Sequence, residues 1–148
     1  MAQTQKKSVG DKSKRKVLRL IDANFNRAKE GLRVCEDVTR FILNDAALSQ
    51  SLRKLRHECS SALKLFPFRY DALVSMRDSL HDVGKRNTDI TKRQRNWMDL
   101  IIQNMKRSQE SFRVLEEVSK IFSMEGSRKF QTLRFQLYEL EKRVLQKF

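Results

Sequence analysis

The chain has 148 residues, enough for one domain that buries about 68–70% of its unfolded surface. Its 32 Lys and Arg against 18 Asp and Glu leave a net charge of +14, which favours an anionic partner such as nucleic acid, a phosphorylated metabolite or an acidic surface. Cys35 and Cys59 fall on apolar helical positions, and His57 and His81 show no ligand spacing. That composition excludes a disulfide scaffold and suggests no metal cluster.

In chain order, the start MAQTQKKSVGDKSKRK has charge but no apolar segment behind it, so it is not a signal peptide. It reads as a disordered basic tail over residues 1–16. Six Lys/Arg and one acid give this tail +5, and the other +9 lies on residues 17–148. No apolar run approaches the roughly 20 residues that cross a bilayer, so a cytoplasmic protein without membrane contact is expected.

Four stretches of heptad-like apolar spacing predict helices. The first carries Phe25, Ala28, Leu32, Cys35, Thr39 and Ile42. A second carries Leu48, Leu52, Leu55, Cys59, Ala62 and Phe66, started by Asn44 or Asp45 and stopped by Pro67. The third carries Met98, Ile101, Met105, Ser108, Phe112, Leu115, Ser119 and Phe122. After the turn SMEGS, the fourth carries Phe130, Leu133, Leu137, Leu140 and Val144. The expected fold is all-α, a four-helix bundle of two hairpins (17–66 and 91–148) joined by a long loop (67–90) with a short helix near 72–77. Long ordered loops of this kind tend to carry function.

The hairpins are copies of one another. Asn24, Arg27, Glu30, Arg33, Val34, Glu36 and Val38 match the residues 80 positions on: Asn104, Arg107, Glu110, Arg113, Val114, Glu116 and Val118. Past the turn the offset falls to 78, pairing Leu55-Arg56 with Leu133-Arg134. Two such units can pack about a pseudo-twofold axis.

On a helical wheel, Asn24, Arg27 and Gly31 form one patch at the edge of the apolar stripe, with Asn104, Arg107 and Ser111 as its second copy. One reading is that small residues here permit close helix crossing. The other is a small-molecule site, with Asn reading a heterocycle edge, Arg forking onto phosphate, and Glu30 and Glu110 holding the arginines. Asp78 and Asp82 could hold Mg²⁺ with substrate phosphates, or cap turns. Four scattered glycines exclude the conventional phosphate loops.

The segments IDANFNRAKEGLRVCEDVTRF, LRKLRHE, MRDSLHDVG and NMKRSQESFRVLEE, in this order, resemble the alternative phosphomethylpyrimidine kinase domain of thiamine biosynthesis. That domain is often fused N-terminal to thiamine-phosphate synthase, and its free-standing form is expected here. The resemblance maps the family's first block onto Asp22, Asn24, Arg27, Glu30, Gly31, Arg33, Glu36 and Asp37. Its loop maps onto Arg77, Asp78, Asp82 and Gly84, and its second block onto Asn104, Arg107, Glu110, Arg113, Glu116 and Glu117. Gln103, Ser108, Ser111 and Lys85 depart from the family pattern.

The resemblance implies an ATP-dependent phosphotransferase that converts 4-amino-5-hydroxymethyl-2-methylpyrimidine phosphate to its diphosphate, with Mg²⁺. On that reading Asn24, Arg27, Glu30, Gly31, Asn104, Arg107 and Glu110 bind substrate. Arg77, Asp78 and Asp82 are catalytic, Gly84 and Lys85 grip phosphate, and Asp78 and Asp82 carry the metal. The alternatives are a non-catalytic pyrimidine-phosphate module that docks a separate thiamine-phosphate synthase, and a nucleic-acid-binding helical protein, disfavoured because its basic residues are scattered. The long stripes also permit a homodimer.

Overall fold

A computed structural model describes residues 3–85, 93 and 95–148, with side chains from Lys12 onward. Among the described residues every regular element is helical: α1 (Gln3–Phe41), α2 (Ala46–Ala62), a 3₁₀ turn (Leu63–Leu65), α3 (Tyr70–Ser75), α4 (Trp97–Ser119) and α5 (Met124–Leu145). The four long helices form the all-α bundle expected from the spacing. α1 packs on α2 and α4, and α5 closes the ring by packing on the same two helices.

The helix ends follow local chemistry. Asn44 takes a left-handed φ of 52° after α1, a conformation that Asn tolerates better than most residues. Asp45 then caps α2 by accepting from the Leu48 amide at 2.9 Å. Asn96 caps α4 through the Asp99 amide at 2.8 Å, and Ser123 caps α5 through the Gly126 amide at 3.0 Å. Each side chain satisfies one of the orphan amides of a first turn.

The predicted stripes make the core. Ala28, Leu32, Cys35, Leu52, Cys59, Phe112, Phe130, Leu133 and Leu137 are fully buried. The pattern fails only at its ends, where Ile42 and Met98 are exposed: Ile42 lies past the end of α1.

α1 and α4 run antiparallel. Cys35 Sγ faces the Ile101 carbonyl at 3.8 Å, and the Ala28 carbonyl accepts from Ser108 Oγ at 3.0 Å. In that register Val17 lies level with the end of α4. The basic turns over residues 12–16 therefore run on past the bundle with their side chains exposed. A disordered tail was expected there; instead α1 begins at Gln3. The reason is that Lys and Arg are good helix formers, and extension from an existing helix needs no new nucleus. Residues 1–2, the side chains of Lys6 and Lys7, and connector residues 86–92 and 94 lie outside the described residues, as does part of the basic segment KRQR. No helix is long and apolar enough to cross a membrane among the described residues.

Candidate functional site

The edge patch on α1 and α4 serves the helix crossing first. A Cβ on Gly31 would collide with Ser108 Oγ and stand 2.7 Å from the Asn104 carbonyl oxygen. The absent side chain is thus filled by α4 and leaves no hole for a ligand. Asn24 is buried and turns its amide back onto the Leu20 carbonyl at 2.9 Å, and Asn104 does the same to Leu100 at 2.9 Å. Arg27, Arg107, Glu30 and Glu110 are exposed. Neither glutamate pairs with its neighbouring arginine among the described residues.

The repeat uses other charges for its internal bonds. Glu36 is buried and receives Arg56 at 2.8 Å; Glu116 is buried and receives Arg134 at 2.8 Å. These are the same pair in each hairpin, joining its two helices. The sequence carried the signal, because Glu recurs at offset 80 and Arg at 78.

The connector's residues are held close to α1. Arg77 reaches back to the buried Asp22, placing Nη2 on Oδ1 at 2.9 Å and Nε on Oδ2 at 2.5 Å. Hydrogen bonding to Asp22, above all, raises the Arg77 guanidinium above its ordinary value. Asp78 Oδ1 lies 2.9 Å from His81 Nδ1 and accepts from the His81 amide at 3.2 Å. The His81 side chain, above all, holds the Asp78 carboxyl below its usual value. Asp82 accepts from the Gly84 amide at 2.8 Å, an Asx turn, and its carbonyl accepts from the Lys85 amide at 3.1 Å. Both carboxylates therefore shape turns. Among the described residues no three acidic, histidine or cysteine side chains gather as a metal site. Among the described residues the donors do not amount to a protein cage for Mg²⁺.

The large concavity lies elsewhere, between α1, α2 and the segment that follows α2. It has a volume of about 1000 Å³, at the upper end for a small-molecule site. Phe25, Phe66, Phe68 and Tyr70 give it aromatic walls, and Lys29, Arg33, Arg56, Lys64 and Arg69 give it five cations against two acids, Glu30 and Asp71. Three of the cations have acidic partners: Arg56 with Glu36, Arg33 with Asp37 at 3.4 Å, and Arg69 with Asp71 at 3.3 Å. Lys29 and Lys64 have none among the described residues, and Lys29 Nζ lies 5.2 Å from the centre of the Phe25 ring. Stacking surface beside unneutralised ammonium groups suits a flat, phosphorylated ligand.

Of the residues singled out in the sequence as substrate-binding, only Glu30 lines this groove. The rest of it went unread, although KLFPFRY, residues 64–70, alternates cations with aromatics around the chain's one proline. The second hairpin does not repeat the groove. In the places of Lys29, Ser60 and Leu63 it has Gln109, Tyr138 and Glu141. Gln109 donates to Glu141 at 2.5 Å, and Tyr138 accepts from Arg134 at 3.2 Å. The duplication thus supplies one groove, on the first hairpin.

The chain is thus an all-α duplicated bundle with a basic, aromatic-walled groove. A match to the ThiD2 family covers residues 19–143, and the chain belongs to that family. It is 37% identical over 125 residues to a thiamine-phosphate synthase of Rhodopirellula baltica, covering 84% of this chain and 33% of that protein. It is 35% identical over 130 residues to proteins of the same name from Nostoc punctiforme and Synechocystis, covering 87% of this chain and 35% and 36% of theirs. The chain spans about a third of the length of these relatives. No solved structure matches it.

These relatives correct the expected activity. A pyrimidine-phosphate kinase was expected, but the proteins that match along most of the chain are named synthases, and a phosphotransferase reading has no support. The association with thiamine biosynthesis stands.

Proposed function

We propose that this chain is a synthase-related module of thiamine-phosphate formation, and that its groove holds a phosphorylated nitrogen heterocycle. The observation that carries this reading is the groove itself. Lys29 and Lys64 face a cavity walled by Phe25, Phe66, Phe68 and Tyr70, inside the residues matched by the family. Thiamine phosphate and its pyrimidine-phosphate precursors each join a flat heteroaromatic ring to an anion. A ring can stack on the aromatic wall while the phosphate meets the lysines and Arg69. The module works beside a synthase portion corresponding to the length of the relatives that this chain does not cover, and a homodimer is compatible with this role.

Calorimetry with thiamine phosphate, the aminopyrimidine phosphate and unphosphorylated thiamine tests the reading. Binding of at least one phosphorylated compound is expected, weakening as salt is raised, with unphosphorylated thiamine binding more weakly. Failure of both phosphorylated compounds to bind, or equal affinity for thiamine with and without phosphate, overturns it.

A further inference from the structure

We infer that the Asp22–Arg77 pair is a latch that positions the connector wall of the groove, so that Arg77 serves ligand binding through the placement of α3 and its Tyr70 without touching the ligand. This rests on the groove reading above.

The pair is unusual in its setting. Asp22 is buried with only 4% of its surface exposed, and it belongs to α1, whereas Arg77 follows α3 at a separation of 55 residues. Both carboxylate oxygens are engaged by the guanidinium, in the fork geometry that fixes orientation as well as distance. The second hairpin has nothing equivalent, because Ile102 stands where Asp22 would recur. The latch and the open groove therefore occur together on the same hairpin.

The latch reaches the groove along α1 and along α3. Asn26, a lining residue, donates to Asp22 Oδ1 at 3.2 Å. Tyr70 opens α3, the helix that leads to Arg77, and meets Phe25 edge-on, with ring centres 6.4 Å apart. Tyr70 and Phe25 both wall the groove. α3 itself has little else to hold it, since among its six residues Leu73 alone is buried. With one buried side chain and one exposed ring contact to α1, this short helix depends on the bidentate ion pair for its place. Without the latch α3 moves and Tyr70 loses its fixed position, while Phe68 stays seated edge-on against Phe122.

The test is a double-mutant cycle with Asp22→Asn, Arg77→Ala and the combined variant, read by calorimetry with the aminopyrimidine phosphate and by amide hydrogen exchange over Tyr70–Ser75. Each single change is expected to weaken binding about 10- to 100-fold, the loss of one charge-assisted contact. The combined variant is expected to be no weaker than either alone. Exchange over Tyr70–Ser75 should rise in all three, while α4 and α5 stay protected. If Arg77→Ala still weakens binding in the Asp22→Asn background, Arg77 contacts the ligand and the positioning role is overturned. Unchanged exchange in both single variants also overturns it, and that arm needs no ligand. A wild-type chain that binds nothing but shows the exchange effect would therefore sink the groove's function and keep the latch.

Discussion

Ser108 Oγ donates to the Ala28 carbonyl at 3.0 Å, and these two residues occupy the same place in the two repeats, 80 positions apart. A contact between equivalent positions lies on the pseudo-twofold axis, so the axis crosses the bundle where α1 and α4 touch. Under that symmetry the positions of Gly31 and Asn104, which approach closely, correspond to those of Ser111 and Asn24. Small residues recur beside the asparagines because two backbones must pass closely there.

That crossing gives the first prediction. Alanine is a better helix former than glycine by about 1 kcal/mol, so Gly31→Ala on an open helix would stabilise. Here the new Cβ meets Ser108 Oγ, which can rotate, and the Asn104 carbonyl at 2.7 Å, which is backbone and cannot yield cheaply. Overpacking of about 1–3 kcal/mol outweighs the propensity gain. Urea denaturation should show a net loss of up to about 2 kcal/mol. Adding Ser108→Ala relieves only the hydroxyl contact, and the double variant should stay less stable than wild type.

The repeated ion pairs differ in one respect that denaturation can measure. Arg56 is the one basic side chain shown on Glu36, whereas Glu116 accepts from both Arg134 and Arg113, the latter at 3.1 Å. Arg56→Ala leaves a buried carboxylate unpaired and should cost about 3–5 kcal/mol. Arg134→Ala leaves Arg113 in place and should cost less. Equal losses would show that Arg113, which is largely exposed, gives the buried carboxylate no cover.

The difference between those pairs also shows how far the sequence could be read. Apolar spacing located all four long helices, and the offsets of 80 and 78 located the duplication, because both depend on periodicity along one chain. The groove depends on which flank of α1 the segment after Pro67 docks against, and no helical wheel contains that. Asn24, Arg27 and Gly31 share one edge of α1, yet Gly31 there meets α4, while Lys29 and Phe25 line the cavity. Arg77 was legible as a notable residue, but its partner was not, since Asp22 lies 55 residues away.

The cysteines set a pH limit. Burial, above all, pushes both the Cys35 and Cys59 thiols up to about 12 from an ordinary 9.0. Between these values the unfolded chain has released its thiol protons and the folded chain has kept them. The unfolded state then binds fewer protons, so stability falls as pH rises above about 9. Melting temperature should be steady from this source below pH 8 and decline between pH 9 and 11. Cys35→Ala/Cys59→Ala should flatten that decline, measured relative to its own value at pH 7. In the native state at pH 8, a thiol reagent should react with neither cysteine until denaturant is added.

The groove and the edge patch make opposite forecasts for two basic residues. Lys64 lines the groove, has no acidic partner among the described residues and is exposed at its mouth, so reversing its charge places a carboxylate where a ligand phosphate would sit. Lys64→Glu should weaken binding of the aminopyrimidine phosphate roughly tenfold or more and reduce the dependence of affinity on salt, because one fewer cation meets the anion. Arg107 is exposed on α4 and takes no part in lining the groove. Arg107→Ala should leave affinity within about twofold, as expected for a surface change distant from the ligand. Calorimetry on the two variants separates the sites: if Arg107→Ala abolishes binding and Lys64→Glu does not, the ligand belongs on the α1–α4 edge. The placement of Phe25 and Tyr70 around the cavity argues for the other outcome, because a ring can stack there while the phosphate meets Lys64.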